Sequence, residues 1–186
     1  FGKPTVVNNV ETLANVLDIV RDGGAAFATT GTEQSTGTKL LCVSGHVERP
    51  GTYEVTFGAT LRDVLVLSGG VSGGRSLQAV LLGGAAGSFL SPDELDVPLT
   101  FEGTRAAGTT LGSGVVLVLD DTVDLGRFLM RIAAFFRDES CGKCVPCRVG
   151  STKAHQLLTT AMAGDGLDDA VEAQVLELER TLRKTS

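Results

Sequence analysis

Apolar positions first recur near the start of the chain. Val10, Leu13, Leu17 and Val20 are spaced as one face of a helix. Asn8-Asn9-Val10-Glu11 precedes them, with Asn8 and Glu11 at the separation of a capping box, and Gly23-Gly24 gives a stop signal. A short entry loop and one helix are therefore predicted. Residues 25–37 are rich in Thr, Gly and Ser and read as a surface linker.

The pattern then changes from helical repeats to short apolar runs broken by turns. Lys39 to Ser44 predicts a strand, Pro50-Gly51 a turn, and Thr52 to Val55 the hairpin partner. Thr60-x-x-Asp63 opens a short helix carrying Leu61, Val64, Leu65 and Leu67, closed by Gly69-Gly70. Ala79 to Leu82 and Val115 to Leu119 are continuous apolar runs bounded by glycine, as in buried strands. A sheet crossed by one helix is a β-grasp-like outline.

Helical spacing returns after Asp124. Leu125, Phe128, Leu129, Ile132, Phe135 and Phe136 line one face of a helix ending near Glu139. A cysteine-containing loop follows, then a helix from about Ser151 to Ala163, a break at Gly164 and Gly166, and an amphipathic helix from Asp168 to about Lys184. The expected fold class is α+β, a β-grasp domain followed by a helical bundle. The expected divisions are 1–37, 38–121 and 122–186.

Charge and composition narrow the functional classes. A net charge of −6 argues against a nucleic-acid surface, which needs basic patches. No apolar run approaches the roughly 18 residues of a membrane span. The opening Phe1-Gly2-Lys3-Pro4 has neither an initiator Met nor a secretory pattern and reads as the middle of a larger protein. Three of the four cysteines fall within seven residues, which fits intracellular metal binding better than a secreted disulfide framework.

Those three, Cys141, Cys144 and Cys147, carry the chemistry. Two-residue gaps let successive thiolates converge on one site. Gly142 permits a close curl, Pro146 restricts the backbone, and Lys143 and Arg148 offset the negative charge of a thiolate-bound cluster. Cys-x2-Cys-x2-Cys opens the bacterial iron–sulfur run, but Ser151 occupies the place of its fourth cysteine. Cys42, in a predicted strand, reads as a small buried apolar side chain. His155 is the remaining candidate ligand. Three Cys and one His also form a zinc set, although zinc sites are usually built from two separated knuckles. The spacing favours iron–sulfur, then zinc, then a redox or structural thiol cluster.

Other signals are weaker. Residues 68–74 and 83–88 are Gly-rich but lack a P-loop ending or a clear dinucleotide fingerprint, so turns and tight packing explain them. Asn8, Asn9 and Thr12 stand at a helix N-terminus, where an anion can be held, although capping accounts equally well for Asn8. His46 reads as a surface or turn residue without a ligand-like neighbour.

Two long motifs resemble a known family. Phe1 to Val16 (FGKPTVVNNVETLANV) and Glu139 to Gly150 (ESCGKCVPCRVG) are similar to the NADH- and FMN-binding subunit of respiratory complex I, the F subunit of the bacterial NADH:quinone oxidoreductase. Related subunits serve NAD-dependent formate dehydrogenases and NAD-reducing hydrogenases. Lys39 to Gly70 resembles the family's SLBB domain, a β-grasp module.

The resemblance implies hydride transfer from NADH to FMN and single-electron transfer to a [4Fe–4S] cluster. It makes Cys141, Cys144 and Cys147 three cluster ligands. The fourth family cysteine comes about forty residues later, just past Ser186 in this numbering, since four ligands are required. Val7, Asn8, Asn9 and Thr12 match the family's last FMN-contacting segment. The family's Gly-rich NADH and FMN segments precede the first residue here, so this stretch alone is expected to be inactive and its cluster incomplete. The resemblance further implies a [2Fe–2S] partner subunit, no membrane insertion, and a place on the cytoplasmic face of a membrane complex. The competing reading is a non-enzymatic β-grasp module with structural zinc.

Overall fold

A computed structural model describes residues 2–164 and 166–185. Two compact units divide the chain, one ending at Thr122 and the other starting at Val123.

Helix α1 (Val10–Asp22) opens the first unit. Its cap is Asn9, one residue later than the capping-box spacing predicts. Asn9 Oδ1 accepts from the Thr12 amide at 2.9 Å. Glu11 is thereby released from a capping role. It forms an ion pair with Lys39 and accepts from the Leu40 amide at 2.8 Å. Burial pushes the Glu11 carboxyl up, but the Leu40 amide and Lys39 together outweigh this and leave it below its usual value. The repeat Val10, Leu13, Leu17 and Val20 is helical as expected, yet all four are exposed, Val10 at 79%. Periodicity reports an amphipathic helix; it does not say what covers the apolar face.

Residues 25–37 are not the expected linker. Short helix α2 (Gly24–Phe27) leads into a tight turn closed by Thr32 N to Ser35 O at 2.8 Å and Gly37 N to Thr30 O at 2.7 Å. Ser35 is only 2% exposed. Most of the segment lies at the surface as its polar composition suggests, but it is folded, and the buried Ser35 hydroxyl is hydrogen-bonded to Glu102, the condition under which polar groups tolerate burial.

The sheet contains β1 (Thr38–Gly45), β2 (Gly51–Thr56), β3 (Leu77–Leu82), β4 (Ser88–Leu90) and β5 (Val115–Asp120). Their order is β2-β1-β5-β3-β4, with β1 and β5 parallel and the other neighbours antiparallel. Helix α3 (Leu61–Leu67) has the predicted capping box between Thr60 and Asp63, and it buries Leu61, Val64 and Leu65. These join Leu41, Val43, Val80, Val116 and Val118 in one core.

Alternation along β1 puts Leu41 and Val43 inward and leaves Cys42 exposed. This corrects the expectation of a buried Cys42. Its Sγ lies 3.9 Å from Thr52 Oγ1 across the hairpin. His46 lies in the bend after β1 with a part-exposed side chain, as a turn residue should, and its Nδ1 lies 2.7 Å from Oδ1 of the buried Asp120, a partner that its sequence neighbours do not reveal. The Thr122 hydroxyl bonds the same carboxylate and, with His46, holds it below the usual carboxylate range.

Strand β4 and helix α4 (Phe101–Ala106) fall where no element is predicted. The first is three residues long, and the second contains Gly103, a poor helix former. Tertiary contacts compensate. Thr100 caps α4 by accepting from Gly103 N at 2.8 Å. Glu102 receives the Ser35 hydroxyl at 2.6 Å and the Thr32 hydroxyl at 2.7 Å.

Among its described residues the second unit has three helices: α5 (Leu125–Asp138), α6 (Val145–Ala163) and α7 (Asp169–Thr185). Helix α6 packs against both α5 and α7. Asp124 caps α5 by accepting from Arg127 N at 3.0 Å. Helix α6 starts at Val145, six residues ahead of the expected Ser151, so the last three residues of the cysteine run, Val145, Pro146 and Cys147, are helical. Pro146 sits in the first turn, where its missing N–H costs nothing. A Cβ on Gly150 would come 2.5 Å from Leu182 Cδ2, so glycine here permits the close approach of α6 and α7.

Candidate metal centre

The cysteine run links the end of α5 to the start of α6. Glu139 closes α5, and its amide donates to Phe135 O at 2.9 Å. Gly142 then adopts φ +73°, a conformation that L side chains rarely take, and reverses the chain. The Arg148 Nη1 donates to Gly142 O at 2.8 Å, pinning that turn to the first turns of α6. Gly142 N donates to Ser140 Oγ at 3.3 Å, and Ser140 Oγ lies 3.5 Å from Cys147 Sγ.

The three cysteines thus have different settings. Cys141 lies in the turn, Cys144 is the N-cap residue of α6, and Cys147 is in its first turn. Cys141 and Cys144 are exposed, Cys147 is half-buried, and all three are free of disulfides. No side chain caps α6, and no acidic residue lies in its first turn. The amides and positive dipole end of α6, at whose start Cys144 and Cys147 lie, therefore meet no competing carboxylate from the first turn.

The donor set fits an iron–sulfur cluster in chemistry: soft sulfur ligands, helix amides as potential donors to sulfur, and nearby Lys143 and Arg148. The side chains have not converged, because no group of three His, Cys, Asp or Glu among the described residues stands close enough to hold an ion.

The remaining candidate ligand, His155, is engaged elsewhere. His155 Nδ1 lies 3.0 Å from Arg137 Nη1, so α5 rather than the cysteine turn is its partner. Ser151, at the position of the fourth cysteine of the simple run, is buried and its hydroxyl points back to Arg148 O at 3.5 Å. Ser140 is the residue that sequence reasoning passed over. Its position beside Cys141 was visible, but its contact with Cys147 depends on the turn between them.

The segment Val7, Asn8, Asn9 and Thr12 lies in the other unit, at the entry to α1. All four residues are exposed. Asn9 Oδ1 accepts both the amide and the hydroxyl of Thr12, at 2.9 and 3.2 Å. Asn9, Thr12, Asn15 and Lys39 border an open groove of about 330 Å³ floored partly by Phe27 and Phe57.

Comparison with known proteins agrees with this layout. The SLBB domain family matches residues 39–123, and the NADH-ubiquinone oxidoreductase-F iron–sulfur binding region matches residues 127–186. The F subunit of the NADH-quinone oxidoreductase of Mycobacterium bovis is 41% identical over 92% of this chain and 39% of its own length. The Streptomyces coelicolor protein of the same name is 44% identical over 89% of this chain and 37% of its own. A crystal structure of an NAD+-reducing [NiFe]-hydrogenase in the H2-reduced state aligns with a TM-score of 0.86 at 37% identity, covering all of this chain and 31% of that one. The chain spans about two fifths of the length of these curated relatives. Over most of its length the chain is therefore homologous to part of NADH-quinone oxidoreductase F subunits, and it carries matches to an SLBB domain and to the iron–sulfur binding region of that subunit.

Proposed function

We propose that this chain forms the SLBB and cluster-holding part of an NADH-input electron-transfer subunit, with Cys141, Cys144 and Cys147 as three of the four ligands of a [4Fe–4S] cluster. The observation that carries the reading is the Cys-x2-Cys-x2-Cys run at the uncapped start of α6, inside the matched iron–sulfur region. A bound [4Fe–4S] cluster supplies one-electron storage. The residues of this chain hold and tune it. Gly142 curls the backbone, Arg148 fixes the curl, and Cys144 and Cys147 stand at the uncapped start of α6.

The names of the relatives support NADH as the electron source and quinone as the final acceptor of the parent protein. FMN is the expected intermediary, with Val7, Asn8, Asn9 and Thr12 contributing a small part of its site. The amides at the start of α1 suit a phosphate, and Asn9 and Thr12 border the adjoining groove. A [2Fe–2S] subunit is the expected partner, and a peripheral place on the cytoplasmic side of a membrane complex the expected location. No helix among the described residues is long and apolar enough to cross a membrane. For the first unit, the order β2-β1-β5-β3-β4 with a parallel central pair and the crossing α3 supports the β-grasp reading. The segment before β1 belongs, on this reading, with the FMN-binding domain, and the helices after Thr122 form the cluster-binding bundle.

The likeness to an NAD+-reducing hydrogenase favours a second parent, a diaphorase subunit that exchanges electrons with a hydrogenase. Iron, sulfide and low-temperature EPR analysis of the full-length protein tests the common core of both readings. About four iron and four sulfide per chain, with a signal on reduction, is the expected result. Stoichiometric zinc without iron would overturn it in favour of a structural site. Whether quinone-reducing or hydrogenase subunits co-purify separates the two parents.

A further inference from the structure

We infer that Ser140 is a positioning residue for the cluster, donating its hydroxyl hydrogen to the Cys147 sulfur and raising the reduction potential. The inference rests on the cluster reading above. Ser140 Oγ stands 3.5 Å from Cys147 Sγ, within reach of a hydrogen bond to sulfur. A metal-bound thiolate carries no hydrogen, so in that state only the hydroxyl can donate. Gly142 N donates to the same Oγ at 3.3 Å. That bond occupies a lone pair, leaves the hydroxyl hydrogen for sulfur, and polarises the O–H toward it.

Solvent exposure singles out the same sulfur. Cys141 and Cys144 are exposed, whereas Cys147 and Ser140 are half-buried. A donor shielded from bulk water acts in a lower effective dielectric and is electrostatically stronger. Reduction adds one electron, part of whose charge falls on the ligand sulfurs. No proton moves, and the hydrogen stays on Ser140. The donor is therefore worth more to the reduced than to the oxidised cluster, which shifts the equilibrium toward reduction.

The test is an EPR-monitored redox titration of the full-length protein carrying Ser140→Ala or Ser140→Thr. The alanine variant should hold its iron but show a reduced-to-oxidised ratio about three- to tenfold lower at a fixed potential. That equals a downward shift of about 30–60 mV at 59 mV per tenfold. Threonine, which keeps the hydroxyl, should restore the wild-type potential. Resonance Raman in D2O gives a second reading, since the cysteine–iron stretch should shift more in wild type than in the alanine variant. An iron-loaded alanine variant at the wild-type potential overturns the inference, as does a threonine variant that falls as far as alanine. If alanine prevents cluster loading, the threonine potential and the wild-type deuterium shift decide; loss of either overturns it. Wild-type protein without iron would instead remove the cluster reading itself, a result distinct from an unchanged potential.

Discussion

The Ser35 hydroxyl donates to Glu102 Oε2 at 2.6 Å, joining a turn before the sheet to the helix between β4 and β5. The Thr32 hydroxyl completes the clamp on Oε1 at 2.7 Å. Ser35 Oγ also accepts from Phe101 N at 3.1 Å, so one serine ties both the backbone and the side chain of α4.

This clamp makes the first unit acid-sensitive. The bonds from Ser35 and then Thr32 lower Glu102 from an ordinary 4.5 to about 2. A carboxyl depressed in the folded state stabilises above its unfolded value, and that stabilisation is lost as pH falls through the folded one. Thermal stability should therefore decline between about pH 4.5 and pH 2 partly through this group. Glu102→Gln should be less stable at neutral pH and show a shallower decline. Melting temperatures of both proteins across that range are the check, and parallel curves would remove Glu102 from the account.

Core and cap predictions separate in magnitude. Leu61 is fully buried under the sheet, so Leu61→Ala should cost about 2–5 kcal/mol by lost transfer energy and a cavity. Thr60→Ala removes only the cap of the same helix and should cost about 1 kcal/mol. Denaturant unfolding followed on the first unit measures both. Equal losses would mean that α3 is held by its cap rather than by its packing.

The crossing of α6 and α7 depends on Gly150. Any β-carbon there meets Leu182 at 2.5 Å. Gly150→Val should destabilise the helical unit by about 1–3 kcal/mol through overpacking. Loss of helical signal at a lower denaturant concentration, with the first unit unaffected, is the expected observation.

The cysteines should divide three to one. Replacing Cys141, Cys144 or Cys147 by serine in the full-length protein should abolish or strongly reduce iron loading, because each removes a thiolate. Cys42→Ser should leave it unchanged, since Cys42 faces solvent from β1 in the other unit. Iron content after anaerobic purification gives the answer, and a Cys42 variant without iron would reassign the ligand set.

Local signals carried most of the element assignments. The Thr60–Asp63 box, the paired runs around Pro50-Gly51 and the repeats of α5 and α7 depend on neighbours only a few residues apart. Elements held by distant partners were not legible. The turn at 25–37, closed by its own backbone bonds, is also tied to a carboxylate 67 residues from Ser35, and α4, capped by Thr100, is anchored through that same carboxylate. Cys42 was misplaced because a run of mixed residues does not announce which face of a strand will meet the core, whereas Leu41 and Val43 settle it once α3 packs.

At the cysteine run, the covalent spacing alone pointed to three sulfurs for one site and ranked iron–sulfur ahead of zinc, since two-residue gaps and soft donors are properties of the chain. Tertiary structure decided the environment of each sulfur. It starts α6 at Val145, half-buries Cys147, leaves Cys141 and Cys144 in solvent, and brings Ser140 across the Gly142 turn to the Cys147 sulfur. Those features arise from backbone reversal and helix packing, which spacing does not encode.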